Sequence, residues 1–281
     1  MSLLTLQTFI YSDMTSSSFS DYKQSILNDF NNRRGDSAFH QKFASRLVEL
    51  ANLKKGDTVL DVATGTGLAA IAAAEIVGAK GYVLGTDLAN GALQQARFKA
   101  EAAKLTNIRF EEVDADNQVL LESQFDVILC SSAIVYFTDV PTVLQRWYKG
   151  LKAEGTVALS CFQETSPSSG VLFRKTVAKY GVSIPNPNQP LGTPQRCRQA
   201  LQTAEFKDIE IIIEQFGSYL KDEEGVWSGN ANSAFGLQKV DWSKEKLAKC
   251  KQDYLSAITV ASGEEGYWND VTAFFVIAHK L

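Results

Sequence analysis

Three acids and two glycines carry the first chemical signal in this chain. In the run VLDVATGTGLAA (residues 59–70), Asp61 precedes Gly65 and Gly67 at the junction of a strand and a helix. Glycines at such a junction let a ligand approach the backbone. The helix start behind them offers free N–H groups and a partial positive charge. Asp87 ends the next strand, about twenty residues after the glycines, where an acid suits the hydroxyls of a ribose. The stretch IRFEEVDADN ends in Asp114-Ala115. There a carboxylate can accept from an adenine amino group and a backbone N–H can meet a ring nitrogen. A further run, FDVILCSSAIVYF, brings Cys130 and Ser131 to the same edge.

Two cofactor classes share this geometry. Gly65-x-Gly67-x-x-Ala70 satisfies the dinucleotide fingerprint, but Asp61 separates the alternatives. A pyrophosphate gains nothing from a carboxylate there, whereas S-adenosylmethionine (SAM) carries an ammonium and a sulfonium. A nicotinamide-dependent (NAD(P)) oxidoreductase therefore rests on glycine spacing alone. A non-catalytic SAM-binding protein is a third reading.

The elements that must position these residues alternate. Short β-forming runs at 58–62, 81–86, 108–113, 125–130 and 156–161 are separated by helical patterns at 68–77, 90–105 and 141–150. Strands alternating with helices imply βαβ units and a parallel, doubly wound sheet. A helical pattern at 21–30 and a helix at 37–53 precede the first strand. After Cys161 the rhythm breaks. A helix is expected at 171–180, a Pro-rich loop at 181–194 that serves as a lid or a surface connection, and strands at 209–216 and 271–278. The intervening 218–268 reads as helical and aromatic-rich. Residues 1–20 read as a flexible N-terminus ahead of one domain, 21–281.

Composition limits the function. The chain has 281 residues, 28 Lys plus Arg against 32 Asp plus Glu, and a net charge of −4. A mildly acidic chain without a basic run is a poor match for nucleic acid. No apolar stretch approaches the length of a membrane-spanning helix. Four cysteines without CxxC or metal-ligand spacing read as reduced thiols in a cytoplasmic protein. No metal cluster is evident. Asp116 reads as a solvated loop acid, His279 as structural, and Arg33-Arg34 as a basic turn or an anchor for an anionic group.

Taken together, these four spaced elements resemble those of class I SAM-dependent methyltransferases, in particular the small-molecule branch around the ubiquinone and menaquinone biosynthesis enzymes. The resemblance covers about residues 28–161. It implies a cofactor site built from Asp61, Ala63, Thr64, Gly65, Thr66 and Gly67, with Asp87-Leu88, Asp114-Ala115 and Ser131. It implies a Rossmann-like seven-stranded α/β sheet of order 3-2-1-4-5-7-6 with N-terminal helices, residues 162–206 and 218–268 as substrate-side insertions, and the second of these as a helical cap between the last two strands. In that family the N-terminal helices close over the ligands, which makes His40 a candidate general base or substrate positioner. Tyr136, Phe162, Trp227 and Trp268 are candidates to line an acceptor pocket. The implied reaction is in-line transfer of a methyl group to O, N or C of a small, partly apolar or aromatic metabolite.

Overall fold

A computed structural model describes residues 23–281 apart from Ser25, Asp29, Arg33, Arg34, Lys221, Ala234, Gln238 and Lys239. The Arg33-Arg34 pair and residues 1–20 thus lie outside the described residues. Helical backbone appears at 26–28 and 30–32. The first full helix, α1, spans Ala38–Leu50. Ser37 caps it by accepting from the His40 N–H, so the helix starts where its first orphan donors find an oxygen. Phe43, Ala44, Leu47 and Val48 are its buried stripe.

The alternating core follows as β1 (Thr58–Val62), α2 (Leu68–Val77), β2 (Tyr82–Asp87), α3 (Asn90–Ala102), β3 (Ile108–Glu112), β4 (Phe125–Cys130), α4 (Val140–Gly150) and β5 (Leu151–Phe162). The helix α2 buries Ala69, Ala70, Ala73 and Ala74, whose small side chains let its axis lie close to the sheet. Asp139 caps α4, with Pro141 in the first turn where its missing N–H costs nothing. The chain then continues through α5 (Ser168–Ala178), α6 (Pro194–Thr203), β6 (Lys207–Gln215), β7 (Ser218–Tyr219), α7 (Glu223–Ala231), α8 (Lys244–Ala261), β8 (Trp268–Asn269) and β9 (Thr272–His279).

Seven strands form one sheet in the order β3-β2-β1-β4-β5-β9-β6. Strands β1 to β5 pair in parallel, and β9 runs antiparallel to both β5 and β6. Since β9 is the seventh strand of this sheet, the order is the expected 3-2-1-4-5-7-6. Strand β5 begins earlier than the apolar run suggests. It pairs Leu151 with Phe125, then skips to pair Thr156 with Val127, with Glu154 at φ +61° in the interruption.

One face of the sheet packs against α4 and α6 through Leu144, Trp147, Leu201 and Phe206. The other packs against α1, α2 and α3 through Phe43, Leu47, Ala70 and Leu93. A separate small core joins α5 to α7 and α8 around Phe173, Trp227, Tyr254 and Ile258.

Two elements were not anticipated. The segment 194–203 is helical although its buried face holds only Cys197, Ala200 and Leu201, too little for a strong apolar period. Its start is set instead by Thr193 accepting from the Arg196 N–H and by Pro194 in the first turn. The second is the ribbon β7–β8, in which Tyr219 pairs with Trp268 and closes the base of the helical insertion.

Candidate functional site

The carboxyl ends of β1, β2 and β4 and the loop after β3 open onto one cavity of about 640 Å³. In the sheet register Asp61 stands beside Gly85 of β2 and Leu129 of β4, so the loop after β1 occupies the middle of that edge. This is where an open α/β sheet binds ligands. Chain polarity reverses helix placement here: α2 returns on one face and α4 on the other.

The loop is built for close backbone approach. Gly65 (φ +56°) and Gly67 (φ +83°) are left-handed, and Gly67 is the N-cap of α2. Ala63 is also left-handed, at φ +54°. The Gly65 N–H donates to Asp87 Oδ2 at 2.8 Å, and the Ala89 N–H donates to Oδ1 at 2.8 Å. One acid thereby ties the glycine loop to the end of β2. Burial pushes the Asp87 carboxyl up, and these backbone donors only partly oppose it.

Asp61 is buried, and its Oδ2 accepts from the Thr64 hydroxyl at 2.5 Å. Its Oδ1 has no partner among the described residues. Burial in this position raises its pKa to about 7. The sign for stability follows. Between 3.8 and about 7 the unfolded acid has lost a proton that the folded protein keeps, so the free protein loses stability as pH rises through that window. Asp61→Asn is expected to flatten this part of the pH profile of urea unfolding. A variant whose profile retains the same slope would place the titration elsewhere.

The expected cofactor residues converge. From the first loop, Asp61, Ala63, Thr64, Gly65 and Thr66 line the cavity. From the other strand ends come Asp87, Leu88, Asp114, Ala115 and Ser131. Gly67 is not among the lining residues, because its bare Cα faces Ala96 and Phe110 instead. His40 and Tyr136 line the cavity as well. The His40 Nδ1 lies 2.6 Å from Ser37 Oγ.

The three other aromatic candidates lie elsewhere. Phe162 stacks on Phe39 and Phe43 above the sheet. Trp227 belongs to the core of the insertion, between Phe173 and Tyr254. Trp268 sits on the ribbon against Tyr219. Among the described residues of 218–268, none lines the cavity. The insertion reaches it through Phe235, whose ring stacks on Tyr136 at 5.6 Å. The Pro-rich loop is also absent from the lining. Leu191 in that loop packs with Cys161 and Cys197 behind β5. Cys130 is buried in the core, with its thiol pushed up by burial, and His279 pairs with Thr156 at the end of β9.

The roof comes from the N-terminal segment, more of which is involved than His40. Lys23, Ile26, Phe30, Gly35 and Asp36 all line the cavity. Lys23 Nζ pairs with Asp114 at 2.7 Å and with Asp116 at 2.9 Å. Burial works against its charge, but the two acids outweigh that and raise its pKa. Asp116 is therefore no solvated loop acid: its side chain is 8% exposed, and it also accepts from the Thr138 N–H. Asn31 accepts from the Gly91 N–H at 2.7 Å, and Phe30 meets Tyr136 edge to face. Asp36 accepts from the Thr66 hydroxyl and from Lys99 Nζ, which also reaches the Thr66 carbonyl. Burial pushes the Asp36 carboxyl up, yet these donors hold it below the usual range. The signal that would have found this roof, single polar residues spaced through a helical segment, has no recognisable period.

The cavity suits an adenosyl sulfonium. It offers two strand-end acids for the nucleoside, an unpartnered buried carboxylate oxygen for a cation, and a glycine loop at a helix start. This sheet order and this site define the class I, Rossmann-like methyltransferases. Comparison with known proteins agrees. Residues 53–179 match the methyltransferase domain family. The chain is 30% identical over 212 residues to the aklanonic acid methyltransferase DauC of a Streptomyces species, covering 74% of this chain and 90% of that one. It is 27% identical to a demethylmenaquinone methyltransferase of a Geobacillus species, covering 63% and 82%. In fold it is similar to a SAM-dependent methyltransferase from Aquifex aeolicus, with a TM-score of 0.52 at 15% identity, over 93% of this chain and 99% of that one. The chain belongs to the SAM-dependent methyltransferases.

Proposed function

We propose that this enzyme methylates a small, partly apolar or aromatic metabolite held under the N-terminal segment. The observation that carries the reading is a cavity with a mixed wall: Asp87, Asp114 and the glycine loop line it together with the apolar and aromatic Ala44, Ala133, Tyr136 and Phe137, and with His40. When bound, SAM supplies an electrophilic methyl group on sulfur. Asp87 would take the ribose hydroxyls, Asp114 with Ala115 the adenine edge, and Asp61 the positive charge. Holding donor and acceptor in line and excluding water accounts for most of the catalysis such a displacement needs. His40, which lines the cavity with its ring held by Ser37, would take the acceptor's proton.

The roofed cavity and the acidic balance of the chain favour a small molecule over nucleic acid. No helix among the described residues is long and apolar enough to cross a membrane, and the four cysteines are free thiols, which supports a cytoplasmic setting. Residues 21–281 act as one catalytic unit; among the described residues, 162–206 and 218–268 lie outside the cavity lining, the second touching it through Phe235 against Tyr136. The relatives named for aklanonic acid and demethylmenaquinone support a flat, oxygenated ring system as the acceptor type.

Calorimetric titration with S-adenosylhomocysteine (SAH), with NADH and NADPH as controls, tests the cofactor assignment. Micromolar SAH binding with no nicotinamide binding is expected, and the reverse pattern would overturn it. The role of Asp61 has its own signature. A bound cation favours the carboxylate, so below pH about 7 binding must expel the Asp61 proton. SAM affinity is expected to fall by up to about tenfold per pH unit below that point. Asp61→Asn should bind more weakly and without that slope.

A further inference from the structure

We propose that Ser132 binds the methyl-accepting atom, and that this atom is an acidic oxygen: a phenol, enol or carboxylate on an otherwise apolar ring. The proposal rests on the reading of the cavity as a SAM-dependent methyltransferase site and names the acceptor chemistry of that site.

Ser132 follows β4 directly, and its backbone is left-handed, at φ +58°. Side chains other than glycine rarely adopt this region. The conformation is pinned from the neighbouring strand, where the buried Ser160 of β5 accepts the Ser132 N–H at 3.0 Å. The Ser132 hydroxyl is buried and has no hydrogen-bond partner among the described residues. An unpaired buried hydroxyl is costly, and such exceptions in a folded protein call for a reason. Ser132 lines the cavity, and the proposed contact requires χ1 to turn from one staggered well to another so that the buried hydroxyl faces that space. Strained backbone, an unsatisfied donor and a place on the cavity wall coincide in one residue.

Its position in the sheet gives the chemistry. In the order β3-β2-β1-β4, Asp114 and Asp87 lie on one side of the glycine loop and Ser132 on the other. A cofactor with its nucleoside on those acids directs its other end towards β4. The cavity's carboxylates are committed elsewhere. Asp114 and Asp116 pair with Lys23, Asp36 takes Lys99 and Thr66, and with the cofactor bound as proposed Asp87 takes the ribose and Asp61 the cofactor's own positive charge. The cavity residues that follow Ser132 on its own loop, Ala133, Tyr136 and Phe137, include no acid to welcome a protonated amine. A hydroxyl donor in apolar surroundings fits an oxygen that is neutral or anionic.

The step balances without a further reactant. The acceptor loses its proton to His40 or solvent. The Ser132 O–H donates to one lone pair of the resulting oxyanion. A second lone pair forms the new O–C bond while the C–S bond breaks, its electrons remaining on sulfur to give neutral SAH and the methyl ether or ester.

The test measures binding to SAH-saturated protein of four probes: naphthol, naphthoate, naphthylamine and naphthalene. Wild type is expected to bind naphthol and naphthoate more tightly than naphthalene. Ser132→Ala should lower affinity for the two oxygenated probes by about 5- to 30-fold and leave naphthalene and SAH binding unchanged. Ser132→Gly should lose the same affinity yet unfold at a higher temperature, because glycine relieves the positive φ. That pairing separates a binding role from a structural one. Equal binding of naphthol by wild type and Ser132→Ala would overturn the proposal. So would a wild type that prefers naphthalene or naphthylamine, or binds none of these probes. Failure of wild type to bind SAH would instead overturn the cofactor site on which the proposal stands.

Discussion

Asp87→Ala is expected to weaken SAH binding by about 5- to 150-fold, or roughly 1–3 kcal/mol, in a calorimetric titration. An ionised carboxylate has about four lone-pair sites. In the free protein one site on each oxygen is taken, by the Gly65 N–H and by the Ala89 N–H. The remaining sites match the two vicinal hydroxyls of a ribose. Alanine removes both the sugar contacts and the tie that holds the glycine loop to β2. Asp87→Asn keeps one acceptor oxygen and should fall between wild type and alanine. If Asp87→Ala bound SAH as wild type does, Asp87 would have no part in holding the nucleoside.

The second large effect falls on the fold. Gly67→Ala should destabilise the protein by about 2–5 kcal/mol, measured by urea unfolding. Two costs add. At φ +83° a Cβ is strained by about 1–2 kcal/mol. That Cβ would also sit 2.9 Å from Ala96 Cβ and 3.2 Å from the Phe110 ring, and overpacking of this kind costs about 1–3 kcal/mol. Ala63→Gly is the opposite case, since Ala63 already carries a side chain at φ +54°. It should be neutral or stabilising by up to about 1 kcal/mol. A neutral Gly67→Ala would mean that the turn into α2 is not built as described.

The contrast between these two positions shows what was legible in the sequence. Gly65, Gly67, Asp87 and Asp114 announce themselves because strand, turn and helix repeat with a regular period, and the acids recur at strand ends. The parallel sheet from β1 to β5 follows from the same rhythm, whereas its order came from the family resemblance. What escaped had no period to read. Ser132 adopts left-handed backbone without glycine, so composition hides it; Ala63, expected at the site, hides only its backbone conformation. Asp116 looks like any loop acid until Lys23, far away in sequence, arrives beside it. The helical insertion drew attention by its aromatics, but Trp227 and Tyr254 fill its own core. Aromatic content measured that need for a core, not the location of the pocket.

The roof over the cavity has a kinetic meaning. It is fastened at its rim by ion pairs from Lys23 to Asp114 and Asp116, and by the Asn31 and Asp36 contacts farther along. If release of the spent cofactor requires those bonds to open, a burst in the first turnover is expected, and its absence in rapid-quench kinetics would mean that the roof does not limit the cycle. Because charges at the rim are screened by salt, ionic strength becomes a dial on dwell time, set apart from the chemistry below.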